Sequence, residues 1–352
     1  MGWSRHFPIE GKKGHSLLFL LLGIMLVVLF LADILVGSVL IPPGEGLRAL
    51  LFPSQAEETT RIILIDFRLP KAITAVLTGI ALSVSGLQMQ TVFRNPLAGP
   101  YVLGISAGAS LGVAFFALGF SSFLAWGTVS MTGTWSLAMA AWAGAFIVMI
   151  LVLFVSARVN DNMTILILGI LFSSAATAIV SIMQYFSNES MLKSFIVWTM
   201  GSLGGVTMNQ LTVLGSATLL GILLALIKIK DLNAFLLGET YARSLGVHIV
   251  RSRLVIFFSA SLLAGTITAF CGPIGFIGIA VPHLARVFFR TANHLVLIPA
   301  VILAGANIML LSDIISQLPG MQTTLPINSV TALLGIPVVV WMILKNRKFS
   351  AV

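Results

Sequence analysis

Side chains able to do chemistry are few in this sequence, and the densest set falls on one helical face. Gly169, Ser173, Thr177, Ser181 and Gln184 step by four, four, four and three residues, a spacing that stacks them into one polar stripe on an otherwise apolar helix. Such a stripe suits a water-lined pathway, because nothing in lipid satisfies an amide such as Gln184. The other reading is that the hydroxyls bond back to carbonyls four residues earlier and only ease packing. Asn328, Thr331 and Gly335 form a shorter stripe at i, i+3 and i+7, open to the same two readings.

Charged chemistry is sparser still. Asp33 and Asp313 are the carboxylates inside or at the edge of apolar runs. Paired acids deep in a bundle would couple transport to protons, since they are costly unless functional; these two fall towards run ends, where reaching out to the interface is the simpler account. The stretch Leu237-Gly238-Glu239-Thr240-Tyr241-Ala242-Arg243-Ser244-Leu245-Gly246-Val247 places Glu239 and Arg243 at i and i+4 on a short helix that Gly246 ends. It fits a solvated connector and a partner-docking element equally. His6, His15, His248, His283 and His294 are scattered without ligand spacing, so no metal site is expected. Neither a Gly-x-x-x-x-Gly-Lys-Ser/Thr loop nor a Ser/His/Asp or Cys/His set occurs. The chain is therefore expected not to be an enzyme, to hold no cofactor, and to draw energy from another chain or an ion gradient.

The elements that carry these residues follow from composition. Of 352 residues, 58% are hydrophobic and 9% charged, against about 25% charged in soluble domains, and mean hydropathy is +1.06. A soluble globule is excluded. The net charge of +9 would suggest nucleic acid for a soluble chain, but these charges sit in short loops between apolar runs, where membrane topology explains them. No nucleic-acid partner is expected. The lone Cys271 closes no intrachain disulfide.

Ten runs have the length and apolarity of membrane helices: 17–41, 72–92, 101–119, 135–157, 164–186, 209–228, 251–270, 274–288, 296–315 and 326–344. The first is too long for a signal peptide and no cleavage motif follows it. The eighth is short, interrupted by Gly275 and Gly278. With both termini in the cytoplasm, fifteen Lys and Arg lie inside and five outside, namely Arg48, Arg61, Arg68, Lys71 and Lys193, a positive-inside pattern. Four of the five crowd before the second run, a local anomaly. Glycines 104, 108 and 112 recur every four residues, the spacing of close helix packing in lipid. Gly99-Pro100-Tyr101-Val102-Leu103-Gly104 faintly matches Gly272-Pro273-Ile274-Gly275-Phe276-Ile277-Gly278, as an inverted repeat of helices 2–5 on 7–10 requires and as chance also allows. The expected fold is all-α, a polytopic membrane bundle of about ten transmembrane helices forming one domain over 1–352, with a cytoplasmic tail at 1–16.

Several strings carry a resemblance to a known family. They are Phe67-Arg68-Leu69-Pro70-Lys71, Ser85-Gly86-Leu87-Gln88-Met89-Gln90, Arg94-Asn95-Pro96-Leu97-Ala98-Gly99-Pro100, Leu103 to Ala109, Leu237 to Val247, Gly272 to Gly278, Val281-Pro282-His283-Leu284-Ala285-Arg286 and Leu325-Pro326-Ile327. In this order, over residues 60–344, the chain resembles the permease subunits of FecCD-type (type II) ATP-binding-cassette importers for iron-siderophores, haem and vitamin B12.

The resemblance implies a homodimer around a central pathway, two cytosolic ATPase subunits that use the ATP, and a periplasmic or lipoprotein substrate-binding protein on the outer face of a bacterial cytoplasmic (inner) membrane. It implies a cargo that is a metal chelate, an iron-siderophore foremost, or haem or a corrinoid. An ion-coupled secondary transporter is the rival class. Helices five and ten would line the pathway with Ser173, Thr177, Ser181, Gln184, Asn328 and Thr331. Segment 229–250, through Gly238, Glu239, Ala242, Arg243, Leu245 and Gly246, would couple to the ATPase. Arg68 and Lys71 match positions that contact acidic residues of the binding protein. The chain departs from the pattern at Gln317, where some members carry arginine, and at Asn328, where glycine is usual.

Overall fold

A computed structural model of the chain describes residues 13–119, 134–159, 161–317 and 323–345, apart from 38, 40, 53 and 55. Most of the expected tail at 1–16 lies outside the described residues, with Arg5, Lys12, Arg347 and Lys348 of the expected inner charges. Among the described residues there are helices and turns and no strand.

Eight helices are long and apolar enough to cross a membrane, and two are shorter. In chain order they are span 1 (Gly14–Leu35), span 2 (Glu58–Val92), span 3 (Ile105–Leu118), span 4 (Trp135–Arg158), span 5 (Asn162–Tyr185), span 6 (Met208–Ile227), span 7 (Ile249–Cys271), span 8 (Ile277–Phe289), span 9 (His294–Ser316) and span 10 (Ile327–Leu344). Each coincides with one of the ten apolar runs. Their ends follow local chemistry. Asp161 accepts from the backbone of Met163 and Thr164 to start span 5, Thr207 and Gln210 form a capping box on span 6, and Asn293 caps span 9. Gly272, at φ +76°, stops span 7. Before Pro70, residues Ile62–Arg68 wind as a π-helix, a wider turn that accommodates the hydrogen bond a proline cannot make.

Span 2 is the hub: 78% of its membrane window is buried, against 22% for span 5 and 28% for span 10. It packs on spans 6, 7, 8 and 9. Small residues permit the closest approaches. A Cβ on Gly86 would press into the Gly278 carbonyl of span 8, and one on Gly79 into the Gly305 carbonyl of span 9. Polar side chains of span 2 find partners across these contacts. Ser85 donates to the Ala260 carbonyl at 2.9 Å, Gln88 to Ser259 at 2.9 Å, and Gln90 both donates to the Ile279 carbonyl at 3.0 Å and accepts from Arg286.

Packing resolves the question of an internal repeat. Span 2 lies on spans 8 and 9 as span 7 lies on spans 3 and 4, and span 3 meets spans 4 and 5 as span 8 meets spans 9 and 10. Spans 2 and 7 are the most buried, at 78% and 72%, and spans 3 and 8 are the two short ones. The two Gly-Pro breaks also meet, for the Ile274 N–H donates to the Tyr101 hydroxyl at 3.3 Å. Equivalent spans stand five apart, so they cross the bundle in opposite senses, and the faint match at Gly99 and Gly272 marks an inverted repeat. The glycines at 108 and 112 serve packing, since a Cβ on either would strike a span 4 carbonyl.

Gly86→Ala drives a methyl into backbone that cannot swing aside, an overpacking worth about 1–3 kcal/mol. Its thermal unfolding midpoint in detergent is expected to fall clearly, while Gly205→Ala, whose Cβ meets nothing within 4 Å, keeps the native midpoint. Equal midpoints would show that spans 2 and 8 do not meet at this glycine.

Candidate transport pathway and coupling segment

The stripe on span 5 lies where its spacing puts it. Ser173 and Gln184 are half-buried, and Thr177 and Ser181 are exposed on the outside of the chain. Ser173, Thr177 and Ser181 donate to the carbonyls of Gly169, Ser173 and Thr177 at 2.8, 2.8 and 3.0 Å. Each hydroxyl is thus satisfied within the helix and still presents its oxygen outward. With Ser106, Ser110 and Thr199 the stripe lines a cavity of about 400 Å³. A wall of this kind offers weak acceptors without a strong site, suited to passage rather than capture.

Span 10 departs from expectation. Thr331 is fully buried and donates to the Asn328 carbonyl at 3.0 Å, and a Cβ on Gly335 would meet Phe276 at 2.5 Å. The Asn328 amide oxygen accepts from the Gly275 N–H at 3.0 Å. The stripe of Asn328, Thr331 and Gly335 therefore faces the chain's own Gly272 break, where Thr331 is covered within this chain and Asn328 bonds a loop amide.

The segment between spans 6 and 7 forms two short helices, Ile229–Leu236 and Glu239–Ser244, joined at Gly238, whose φ of +101° favours glycine. Leu237, Tyr241 and Leu245 are 62%, 52% and 59% exposed and stand four residues apart, so one apolar face looks away from the bundle. Arg243 and Gly246 are exposed beside it, and Ala242 is buried beneath. Glu239 does not pair with Arg243 as the i, i+4 spacing suggested. It turns inward to Arg253, 2.7 Å away, and accepts from the Asn162 amide at 2.6 Å. Asp231 fixes the first helix through Lys228 at 2.8 Å and Ser252 at 2.6 Å. Burial pushes its carboxyl up, but the hydrogen bonds from Lys228 and Ser252 and the Lys228 charge outweigh that and hold it below the ordinary value. Asn233 adds a tie, pairing with His294 Nδ1 at 2.7 Å while His294 Nε2 meets Thr91 at 2.8 Å. Sequence reasoning missed Arg253, Asn162, Asn233 and His294. The available signal was Arg253 itself, a cation inside a membrane helix whose end Arg251 already marks.

At the other end of the bundle the charges also turn inward. Asp33 and Asp313 are 2% and 1% exposed, so they do not reach the interface as expected. Gln317 donates to both, at 2.9 and 3.2 Å, and Lys71 pairs with Asp313 at 3.0 Å; with such partners in reach a carboxylate is satisfied inside. Arg68 is buried and donates to the carbonyls of Ile34, Leu35 and Val39, capping the end of span 1. Arg68 is thus engaged by this chain's own backbone, whereas Lys71 keeps 20% of its side chain exposed. Lys71, Asp313 and Gln317 line a cavity of about 560 Å³ with Met200, Gly204 and Pro326.

This geometry can be set beside known proteins. The chain is 34% identical over 328 residues to the vitamin B12 import system permease protein BtuC of Klebsiella pneumoniae, covering 93% of each chain. It is 32% identical over 341 residues to the hemin transport system permease protein HmuU of Yersinia pestis, covering 97% of this chain and 99% of that one. A solved metal-chelate type ABC transporter in an inward-facing conformation superposes with a TM-score of 0.80 at 29% identity, over 94% of this chain and 99% of that one. The model of the FecCD transport family matches residues 25–345, and with that match and these relatives the chain belongs to the FecCD transport family.

Proposed function

We propose that this chain is the membrane subunit of an ATP-binding-cassette importer that carries a metal chelate, of the iron-siderophore, haem or corrinoid class, into the cytoplasm between two copies of itself. The observation that carries this reading is the polar stripe of span 5, which stands on an exposed face of a membrane helix. Lipid does not satisfy such a face, whereas a second copy opposite it encloses a weakly polar passage. Relatives that import vitamin B12 and hemin support the cargo class. Proton coupling is not favoured, because Asp33 and Asp313 bind Gln317 and Lys71 and do not line the span 5 cavities.

The exposed apolar face of Leu237, Tyr241 and Leu245 is the docking element for a cytosolic ATPase, which supplies ATP hydrolysis. Binding and hydrolysis there would shift the bundle between two states of access, inward and outward. A substrate-binding protein docks on the outer face at Lys71, with Asp313 as the group that gives it up.

Three experiments test the reading. With Ser173, Thr177, Ser181 and Gln184 made cysteine singly in a Cys271→Ser background, a membrane-impermeant maleimide should label the stripe at rates that differ between nucleotide-free and ATP-trapped complexes. A stripe unlabelled in every state of an active transporter would be packing only. Leu245→Asp puts an unpaired charge into the ATPase contact, at a cost of about 3–5 kcal/mol if the site stays dry. Co-purification of the ATPase should be lost while membrane insertion is normal; undiminished co-purification would make the segment a connector. Lys71→Glu should slow association of the loaded binding protein most at low salt, though the exposed pair itself contributes only about 0.2–1 kcal/mol. An association rate and salt slope equal to the native ones would move the docking site elsewhere.

A further inference from the structure

Span 5 has only 22% of its membrane window buried, and its side-chain hydrogen bonds run almost wholly within itself. Those of Ser173, Ser174, Thr177 and Ser181 go to carbonyls of the same helix, and Thr164 goes to its capping Asp161. Among the described residues the exception is Asn162, the first residue of the span. Its amide donates to the Val92 carbonyl at 2.9 Å and to Glu239 Oε1 at 2.6 Å. The same carboxylate oxygen accepts from Arg253 Nη2 at 2.7 Å. Arg253 is 1% exposed and its other terminal nitrogen donates to the Val159 carbonyl at 3.0 Å. One oxygen of the coupling segment thus joins spans 5 and 7, and the Asn162 amide extends the knot to the end of span 2.

The chemistry of the knot is asymmetric. Arg253 is a buried permanent cation and cannot leave Glu239 without being left uncompensated, so the coupling helix stays on span 7. Asn162 is neutral and carries the hydrogen-bonded connection from span 5 to the coupling helix, while Asp161 at the start of the span acts on Arg253 only through its charge, so Asn162 is the link able to transmit a push or to let go. From this geometry we infer that Asn162 is the positioning residue through which movement of the Glu239–Ser244 helix reaches the pathway wall. The inference rests on the importer reading given above.

The test uses the full complex of this chain with its ATPase subunits in proteoliposomes, carrying Ser181→Cys and Cys271→Ser, probed with a membrane-impermeant maleimide. In the parent complex the labelling rate at 181 differs between the nucleotide-free and the ATP- and vanadate-trapped states. Asn162→Ala should leave ATP hydrolysis within about twofold of the parent and shrink that difference by at least about fivefold, the low end of ordinary coupling strengths. A merely structural residue would lower hydrolysis and labelling difference together. Asn162→Asp, which keeps the size and suits a helix N-terminus but sets a like charge against Glu239, should lose the difference too and serves where the alanine variant does not assemble. Asn162→Gln, retaining the amide, should restore it in part. An undiminished labelling difference in either assembled variant overturns the inference, as does failure of both to assemble, which would make Asn162 a folding residue. A parent complex with no nucleotide-dependent labelling sinks the importer reading itself and this inference with it.

Discussion

Backbone contact between glycines holds this bundle together. Lipid chains are as apolar as leucine, so helices in a membrane gain little by merely hiding apolar side chains from their surroundings. They gain by approaching closely enough for dispersion and for polar groups to meet. Gly86 against Gly278 and Gly79 against Gly305 let the backbone of span 2 meet those of spans 8 and 9 directly at these positions. At that separation Ser85, Gln88 and Gln90 reach spans 7 and 8, so the polar residues of the hub are satisfied by the approach that the glycines permit. Span 8 is short because it must begin where the chain breaks at Gly272 and Pro273, and that break meets the one at Pro100 through Tyr101.

A gradient of burial follows from this arrangement. Spans 2 and 7 form a rigid pair, and spans 5 and 10 hang on the outside with most of their windows uncovered. Displacing span 2 would break many contacts at once, whereas span 5 moves at the cost of few. A two-state transporter needs both properties: a core that keeps its geometry and a wall that changes. Span 5, held by few contacts, is also the helix with polar groups on its open face.

Much of this was legible in the sequence. Each of the ten apolar runs became a helix, because length and apolarity suffice to specify a span. The stripe of span 5 and the helix pair between spans 6 and 7 were legible because their periodicity is local. What escaped was which face is inward. A helix surrounded by apolar groups on all sides shows no amphipathic face, so the stripe on span 10 could not be told from that on span 5, although Thr331 is buried and Thr177 exposed. Pairs distant in sequence escaped too. Glu239 offered Arg243 at helical spacing, and the fold supplied Arg253 on the next span, rigidly placed and dry, where a surface pair would be screened.

The outer charges complete the argument. Arg68 and Lys71 violate the positive-inside pattern, and external partners were one reason to keep them there. The fold supplies a nearer one. Arg68 takes the last carbonyls of span 1, which no intrahelical donor can reach, and Lys71 takes Asp313, while Gln317 bridges Asp313 to Asp33. Two cations and two acids from spans 1, 2 and 9 thus come together in one cluster, where Lys71 has a carboxylate partner and Arg68 has carbonyl partners of its own. Gln317, a neutral amide, donates to both acids at once. Lys71 retains the most exposure in this set, so any carboxylate that approaches it has to compete with Asp313 for the ammonium group, and the site is an already paired cation rather than an empty positive one.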